Sequence, residues 1–217
     1  MENRFSLRVT NDQSLTLFDA LNGESYKSAH AADTESRAIF IQPGLLCNPA
    51  GTEHLNILEL GFGIGTNTAN LIKDASNLKK IYKSIQYTSV DTDLTGAHFF
   101  QANSALTQLL HKKALFIDNF LQINLLENNF LSVLGNLASA SIDVVFFDPF
   151  SPKCNPDSWS LEIFQECFRV LKSNGRLLTY SVSRIAKDHA LAAGFQIQKF
   201  PLPKILHKRS ALLAIKS

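Results

Sequence analysis

The feature that most limits what this chain can fold into is the run ILELGFGIGTN, residues 57–67. A short apolar segment at 56–60 carries Glu59 near its end. Glycines follow at 61, 63 and 65, and helical spacing then runs over 66–78. Without Cβ atoms, those glycines allow a tight turn and let a ligand lie against the main chain. The helix behind them offers unpaired N–H groups at its start. A strand, a glycine turn and a helix in this order predict an α/β fold built on a parallel sheet.

The alternation continues to the end of the chain. Residues 85–90 read as a strand ending at Asp91, 94–110 as a helix, 121–126 as a strand and 130–137 as a short helix. The run IDVVFF, 142–147, is apolar enough for a strand buried on both faces. A helix over 161–171, a strand over 175–180 and a helix over 185–193 closed by Gly194 follow. Strands at 195–200 and 211–215 are placed to pair as a hairpin. The expectation is a Rossmann-like, mostly parallel sheet covered on both faces, with a C-terminal antiparallel hairpin. Residues 1–50 read differently, as an N-terminal extension packed on a 51–217 core. It would hold a small hairpin around Leu15 and Leu17 and a helix over 25–40 stopped by Pro43-Gly44.

The glycine loop reads G-x-G-x-G, whereas a dinucleotide fingerprint reads G-x-G-x-x-G. A carboxylate at Glu59 would repel a pyrophosphate and favour a cationic ligand. A sulfonium that also carries an ammonium group fits, which points to S-adenosylmethionine over a nicotinamide cofactor. Asp91, ending the second strand, is placed to accept hydrogen bonds from ribose hydroxyls. Asp93 competes for that role, and Asp91 could instead cap the helix starting near Leu94.

The second chemical feature is FFDPFSPKCNPDSW, residues 146–159. Asp148 follows a buried strand, so it belongs at the carboxyl edge of the sheet, where open α/β sheets bind ligands. Pro149, Pro152 and Pro156 stiffen the loop. Methyl transfer from a sulfonium needs a neutral amine lone pair held close to the methyl carbon. Asp148 can accept an N–H bond that aims the amine and stabilises the charge forming on it. Phe150 or Trp159 can stack on a flat substrate such as a base, or Trp159 can instead be a buried anchor of the loop.

Composition narrows the rest. With 45% apolar and 18% charged residues, the chain is not disordered. Its net charge of +2 excludes a histone-type nucleic-acid binder. Cys47, Cys154 and Cys167 are odd in number and never spaced C-x-x-C, against a disulfide framework or zinc ribbon. The scattered histidines suggest no metal. MENRFSLRVT has no apolar signal region, and no run approaches the ~20 residues that span a bilayer. A soluble cytoplasmic protein is expected. Residues 196–217 hold Lys199, Lys204, Lys208, Arg209 and Lys216 and no acidic residue, a possible phosphate footprint.

Taken together, these residues resemble the methyltransferase domain of the tRNA 5-methylaminomethyl-2-thiouridine biosynthesis proteins. That family's GFGxGxN is matched by Gly61, Phe62, Gly63, Gly65 and Asn67. Its proline loop is matched by Asp148, Phe150, Pro152, Asn155, Pro156 and Trp159. Thr179-Tyr180-Ser181, Ala193-Gly194-Phe195, Lys208-Arg209, GESYKS at 23–28 and TESRAIF at 34–40 are similar to further family segments. The resemblance implies methyl transfer from S-adenosylmethionine to the exocyclic amine of 5-aminomethyl(-2-thio)uridine at the tRNA wobble position. It implies Asp148 and Phe150 at the reacting centre. Glu59, Gly61, Gly63, Gly65, Asn67, Asp91, Asn129 and Asp148 would hold the cofactor. Trp159, Lys187, Lys208 and Arg209 would hold the substrate. Two positions depart from the pattern: Asn128-Asn129 stands where the family has Gly-Asp, and Ala186-Lys187 where it often has Val-Arg. The chain ends at Ser217 without the oxidase domain that follows in many members, so the expectation is that either a separate enzyme supplies the amine or the substrate differs. The alternatives are a small-molecule N-methyltransferase, an aminopropyltransferase of the spermidine synthase type, and a non-catalytic subunit that holds tRNA or a partner enzyme.

Overall fold

The computed structural model describes residues 3–46, 51–100 and 103–217. Cys47 and the expected boundary near residue 50 touch residues outside these.

The chain opens with a three-stranded antiparallel sheet, β1 (Phe5–Val9), β2 (Leu15–Asp19) and β3 (Glu24–Ser25). Residues 26–31 are not helical, contrary to the expected helix over 25–40. Two contacts hold them against β2: Tyr26 N–H donates to the Leu17 carbonyl at 2.9 Å. Lys27 N–H donates to Thr16 Oγ1 at 3.0 Å. Helix α1 (Ala32–Ser36) then runs directly into a π-helical segment, Arg37–Leu46, which passes through Pro43. The proline removes one N–H donor, but Ile39, Phe40, Ile41 and Leu45 are fully buried there. Tertiary packing outweighs the local breaker.

The main sheet follows: β4 (His54–Leu60), α2 (Thr66–Lys73), α3 (Ala75–Leu78), β5 (Ser84–Asp91), α4 (Thr95–Phe100), α5 (Ser104–Lys112), β6 (Ala114–Ile117) and β7 (Leu121–Glu127). Then come α6 (Phe130–Asn136), β8 (Ile142–Phe147), α7 (Leu161–Val170), β9 (Leu171–Thr179), α8 (Arg184–Ala192), β10 (Gln196–Pro201) and β11 (Ser210–Ile215). The expected helix over 94–110 is two helices, because the Asn103 side chain caps α5 by accepting from Leu106 N–H at 2.9 Å. The expected helix over 66–78 likewise divides at Asp74.

The strand order is β10-β11-β9-β8-β4-β5-β7-β6. The five central strands are parallel. The C-terminal hairpin of β10 and β11 is antiparallel, as the sequence predicts. Strand β6 adds an antiparallel edge on the other side that the sequence reading missed. It is only four residues long, and Lys113, at φ 58, turns the chain back just before it.

Alternate residues of the central strands face opposite layers. Ile57 and Phe146 pack with Phe40 and Tyr87 on one face. Leu58, Leu60, Val145 and Phe147 pack with Trp159 and Phe164 on the other. After β4 the chain winds outward through β5 and β7, and then returns to place β8 on the opposite side of β4. Such a reversal opens a crevice at the carboxyl ends of the strands, where ligands of this architecture bind.

Candidate active site

The three strand ends at that crevice are tied together by backbone. Gly61 N–H donates to the Val90 carbonyl at 2.8 Å, and Asp148 N–H to the Leu60 carbonyl at 2.8 Å. Gly61 and Gly63 have φ of 104° and 58°. A Cβ on Gly61 would lie 2.5 Å from the Asp148 carbonyl oxygen, and one on Gly63 would lie 3.0 Å from the Tyr26 ring. The loop is therefore bare main chain at its turn, with no room for a Cβ at Gly61 and little at Gly63. Gly65, at φ 81°, sits at the start of α2 under Phe62 and Leu106 and does not face the crevice.

The crevice is a cavity of about 720 Å³. Its walls include Glu24, Glu35, Asp91, Asp93 and Asp148 against Arg4, Lys27 and Lys208. Five carboxylates against three bases favour a cationic guest over an anionic one.

Asp91 lines the cavity. Its Oδ2 accepts from Gly63 N–H and its Oδ1 from Thr92 N–H, both at 2.8 Å. Burial pushes its carboxyl up to about 6, opposed by the Gly63 N–H bond. The helix-capping role considered for Asp91 belongs to Asp93, whose Oδ1 accepts from Thr95 N–H at 2.8 Å. Asp93 is also paired with Arg4 at 2.8 Å.

Asp148 sits at the head of a buried chain of polar groups. Asn67 Nδ2 donates to Asp148 Oδ2 and to Glu59 Oε1, each at 2.8 Å. Ser89 Oγ donates to the other oxygen of Glu59. Lys27 Nζ forms an ion pair with Asp148, both side chains being almost fully buried. Burial raises the Asp148 carboxyl above the usual range, and Lys27 opposes this. Burial also raises Glu59 to about 7, opposed by the Ser89 and Asn67 bonds.

The N-terminal segment closes the cavity. The Tyr26 ring packs on Phe150 at 4.9 Å between centroids. Glu24 accepts from Ser151 N–H at 3.1 Å. Glu35 accepts from Ser28 N–H at 2.8 Å and pairs with Lys208 at 2.7 Å. Burial pushes Glu35 up, but Lys208 and Lys27 outweigh it and leave the carboxyl below its usual value. Lys208 also lies 4.8 Å from the Tyr180 ring centre, and the Tyr180 hydroxyl donates to the Pro149 carbonyl at 3.0 Å.

Sequence reasoning brought Gly61, Gly63, Asp91, Asp148, Phe150 and Lys208 to this cavity. Several other expectations need correction. Glu59 is fully buried and lies outside the cavity lining, bonded to Asn67. Asn129 is exposed, and its amide oxygen is taken by the Leu131 and Ser132 N–H groups it caps, while Phe130 lines the cavity instead. Trp159 is fully buried, with Nε1 donating to the Phe150 carbonyl at 2.8 Å. It offers no face to a base and instead braces the loop that carries Phe150. Lys187 and Arg209 lie outside the cavity, half-buried on α8 and exposed beside Lys208 respectively. Lys27, Tyr26 and Glu35 were missed as site residues, although the GESYKS and TESRAIF segments contain them.

A family model described as S-adenosyl-L-methionine-dependent methyltransferase matches residues 93–217. The chain belongs to that family. It is an S-adenosylmethionine-dependent methyltransferase, and the glycine loop lies before the matched region. The cavity fits the cofactor on its own evidence: a bare glycine turn with no room for a Cβ at Gly61, and an excess of carboxylates on its walls.

The chain is 29% identical over 198 residues to the tRNA 5-methylaminomethyl-2-thiouridine biosynthesis bifunctional protein MnmC of Aromatoleum aromaticum, covering 82% of this chain and 31% of that protein. It is 27% identical over 161 residues to the MnmC of Leptospira interrogans, covering 67% and 25%. The chain thus spans about a quarter to a third of the length of these curated relatives. Its fold matches MNMC2 from Aquifex aeolicus with a TM-score of 0.80, 24% identity, and coverage of 98% of this chain and 70% of that one. A probable spermidine synthase from Corynebacterium glutamicum matches at 0.55, with 19% identity and coverage of 98% and 76%. Among the described residues no group of three or more His, Cys, Asp or Glu side chains is placed to hold a metal ion, and no helix is long and apolar enough to cross a membrane.

Proposed function

We propose that this methyltransferase acts on the exocyclic amine of 5-aminomethyl(-2-thio)uridine at the tRNA wobble position, in the cytoplasm. The observation that carries the reading is Asp148 at the cavity wall, a carboxylate acceptor suited to an amine. The kinship to MnmC proteins supports the choice of amine.

S-adenosylmethionine, when bound, supplies a methyl group on a sulfonium centre. Gly61 and Gly63 let it lie on the main chain, and Asp91 accepts from its ribose hydroxyls. Asp148 accepts an N–H of the acceptor amine, aims the lone pair and stabilises the positive charge that develops on nitrogen. Asn67 holds Asp148 in place, with Glu59 behind it. Phe150 takes the stacking role against the uracil ring. Lys208, at the cavity rim, with Arg209 and Lys187 outside it, contacts RNA phosphates together with the exposed Lys199 and Lys204.

The test is transfer of label from S-adenosylmethionine to tRNA bearing aminomethyluridine, run beside bulk polyamines. Wild-type protein labels the tRNA, and Asp148→Asn loses about 10²–10³-fold in kcat. Label entering only small amines refutes the tRNA reading.

A further inference from the structure

We propose that Lys27 is a positioning residue of the methyl-transfer site, its fixed positive charge keeping the acceptor amine beside Asp148 in the neutral form. The inference rests on the reading of the acceptor as an amine.

Lysine is strongly hydrated and is almost never buried without cause. Here its side chain is 6% exposed. The ammonium is bonded to Asp148 Oδ2 and stands 4.7 Å from the centre of the Phe40 ring. Its backbone is clamped from both sides: Lys27 N–H donates to Thr16 Oγ1, and Thr16 Oγ1 donates to the Lys27 carbonyl at 3.2 Å. The charge is held at the cavity wall, not free to swing into solvent.

The groups around it leave it committed to Asp148. Glu35, on α1, acts on it electrostatically but is bonded to Lys208. Glu59, on β4, is screened behind Asn67. The Tyr180 hydroxyl, just beyond β9, is given to the Pro149 carbonyl. Asp91, on β5, is occupied by the Gly63 and Thr92 N–H groups. One carboxylate, Asp148, therefore serves one ammonium.

An acceptor arriving as an ammonium would place a second cation on the same carboxylate, and a like charge disfavours the charged form. A neutral amine meets no such penalty. It can donate an N–H to Asp148 and keep its lone pair. That lone pair forms the C–N bond, and the C–S electron pair leaves with sulfur, which becomes a neutral thioether. The product is a secondary ammonium next to Lys27, where it is again disfavoured and sheds its proton to water.

The experiment is the pH profile of kcat, whose acid limb reports the bound amine, on tRNA bearing aminomethyluridine. Lys27→Met and Lys27→Gln, the latter keeping a hydrogen-bond donor to Asp148, both move the limb up by about one pH unit or more. Lys27→Arg, which retains the charge, leaves it near the wild-type position. Because Asp148 itself titrates, the Lys27→Met comparison is repeated in Asp148→Asn, where the shift persists. An unmoved limb in Lys27→Met and Lys27→Gln, or a shift that vanishes in Asp148→Asn, overturns the proposal while the acceptor reading stands. A wild-type protein that binds S-adenosylmethionine by calorimetry but methylates no amine overturns both.

Discussion

Replacing Glu59 with Gln isolates the cost of one buried charge. The side chain is fully enclosed and accepts from Ser89 and from Asn67 at 2.8 Å. Gln keeps the shape and an oxygen for Asn67 but cannot ionise. In the folded wild type the carboxyl titrates at about 7, against 4.5 for an ordinary glutamate. Below pH 4.5 both folded and unfolded chains hold the proton. Between 4.5 and about 7 the unfolded chain has lost it and the folded chain still binds it. Wild-type stability therefore falls as pH rises through that window, by about 1.4 kcal/mol per pH unit. The total is roughly 3 kcal/mol, and nothing further is lost above pH 7 from this group. Glu59→Gln lacks the penalty, so its stability relative to wild type rises by that amount between about pH 4.5 and 7.5. Urea unfolding without cofactor measures it, read from the fluorescence of the single tryptophan, the buried Trp159. Other titrating groups cancel in the difference. If the two proteins differ equally at pH 5 and pH 8, the account of Glu59 as a carboxyl whose burial outweighs its hydrogen bonds is wrong.

Gly61→Ala forces a Cβ to within 2.5 Å of the Asp148 carbonyl at φ 104°. It destabilises by roughly 2–4 kcal/mol in thermal unfolding and also lowers kcat. Gly63→Ala, facing only the Tyr26 ring at 3.0 Å, costs about 1–2 kcal/mol. With Asp91 in the ribose-binding role proposed above, ionisation strengthens it as an acceptor, and its carboxyl titrates at about 6. Calorimetric affinity for S-adenosylmethionine therefore weakens as pH falls below that value, and Asp91→Asn binds weakly with a flat profile. Trp159→Phe removes the bond to the Phe150 carbonyl and costs about 1–2 kcal/mol in urea unfolding, with KM for tRNA little changed. A large rise in KM without lost stability would restore Trp159 as a stacking surface.

Much of this molecule is legible in the order of its residues. Local rules reach the glycine turn, because φ of 104° at Gly61 is open essentially to glycine alone and 58° at Gly63 favours it. They also reach the parallel sheet, since buried runs such as IDVVFF alternate with amphipathic helices. Asp91 and Asp148 end strands, and strand ends in this architecture meet at one crevice whatever their separation in the chain. Residues 26–46 were harder. Their apolar and small residues fit a helix, yet residues 26–31 lie against β2 through bonds to Thr16 and Leu17. Those partners lie about ten residues back and leave no local periodicity.

Tertiary structure alone decided which polar residues face the cavity. Glu59 and Asp148 each follow an apolar strand run, but Glu59 lies within β4 under Asn67, while Asp148 lies just beyond β8 at the cavity. Trp159 and Phe150 share a loop, yet one faces the core and the other the cavity. Lys27 and Asp148 are separated by 121 positions. A sequence records which charges exist and which turns are possible. Whether a charge is buried or paired depends on the layers packed over it, and only the folded chain brings those layers together.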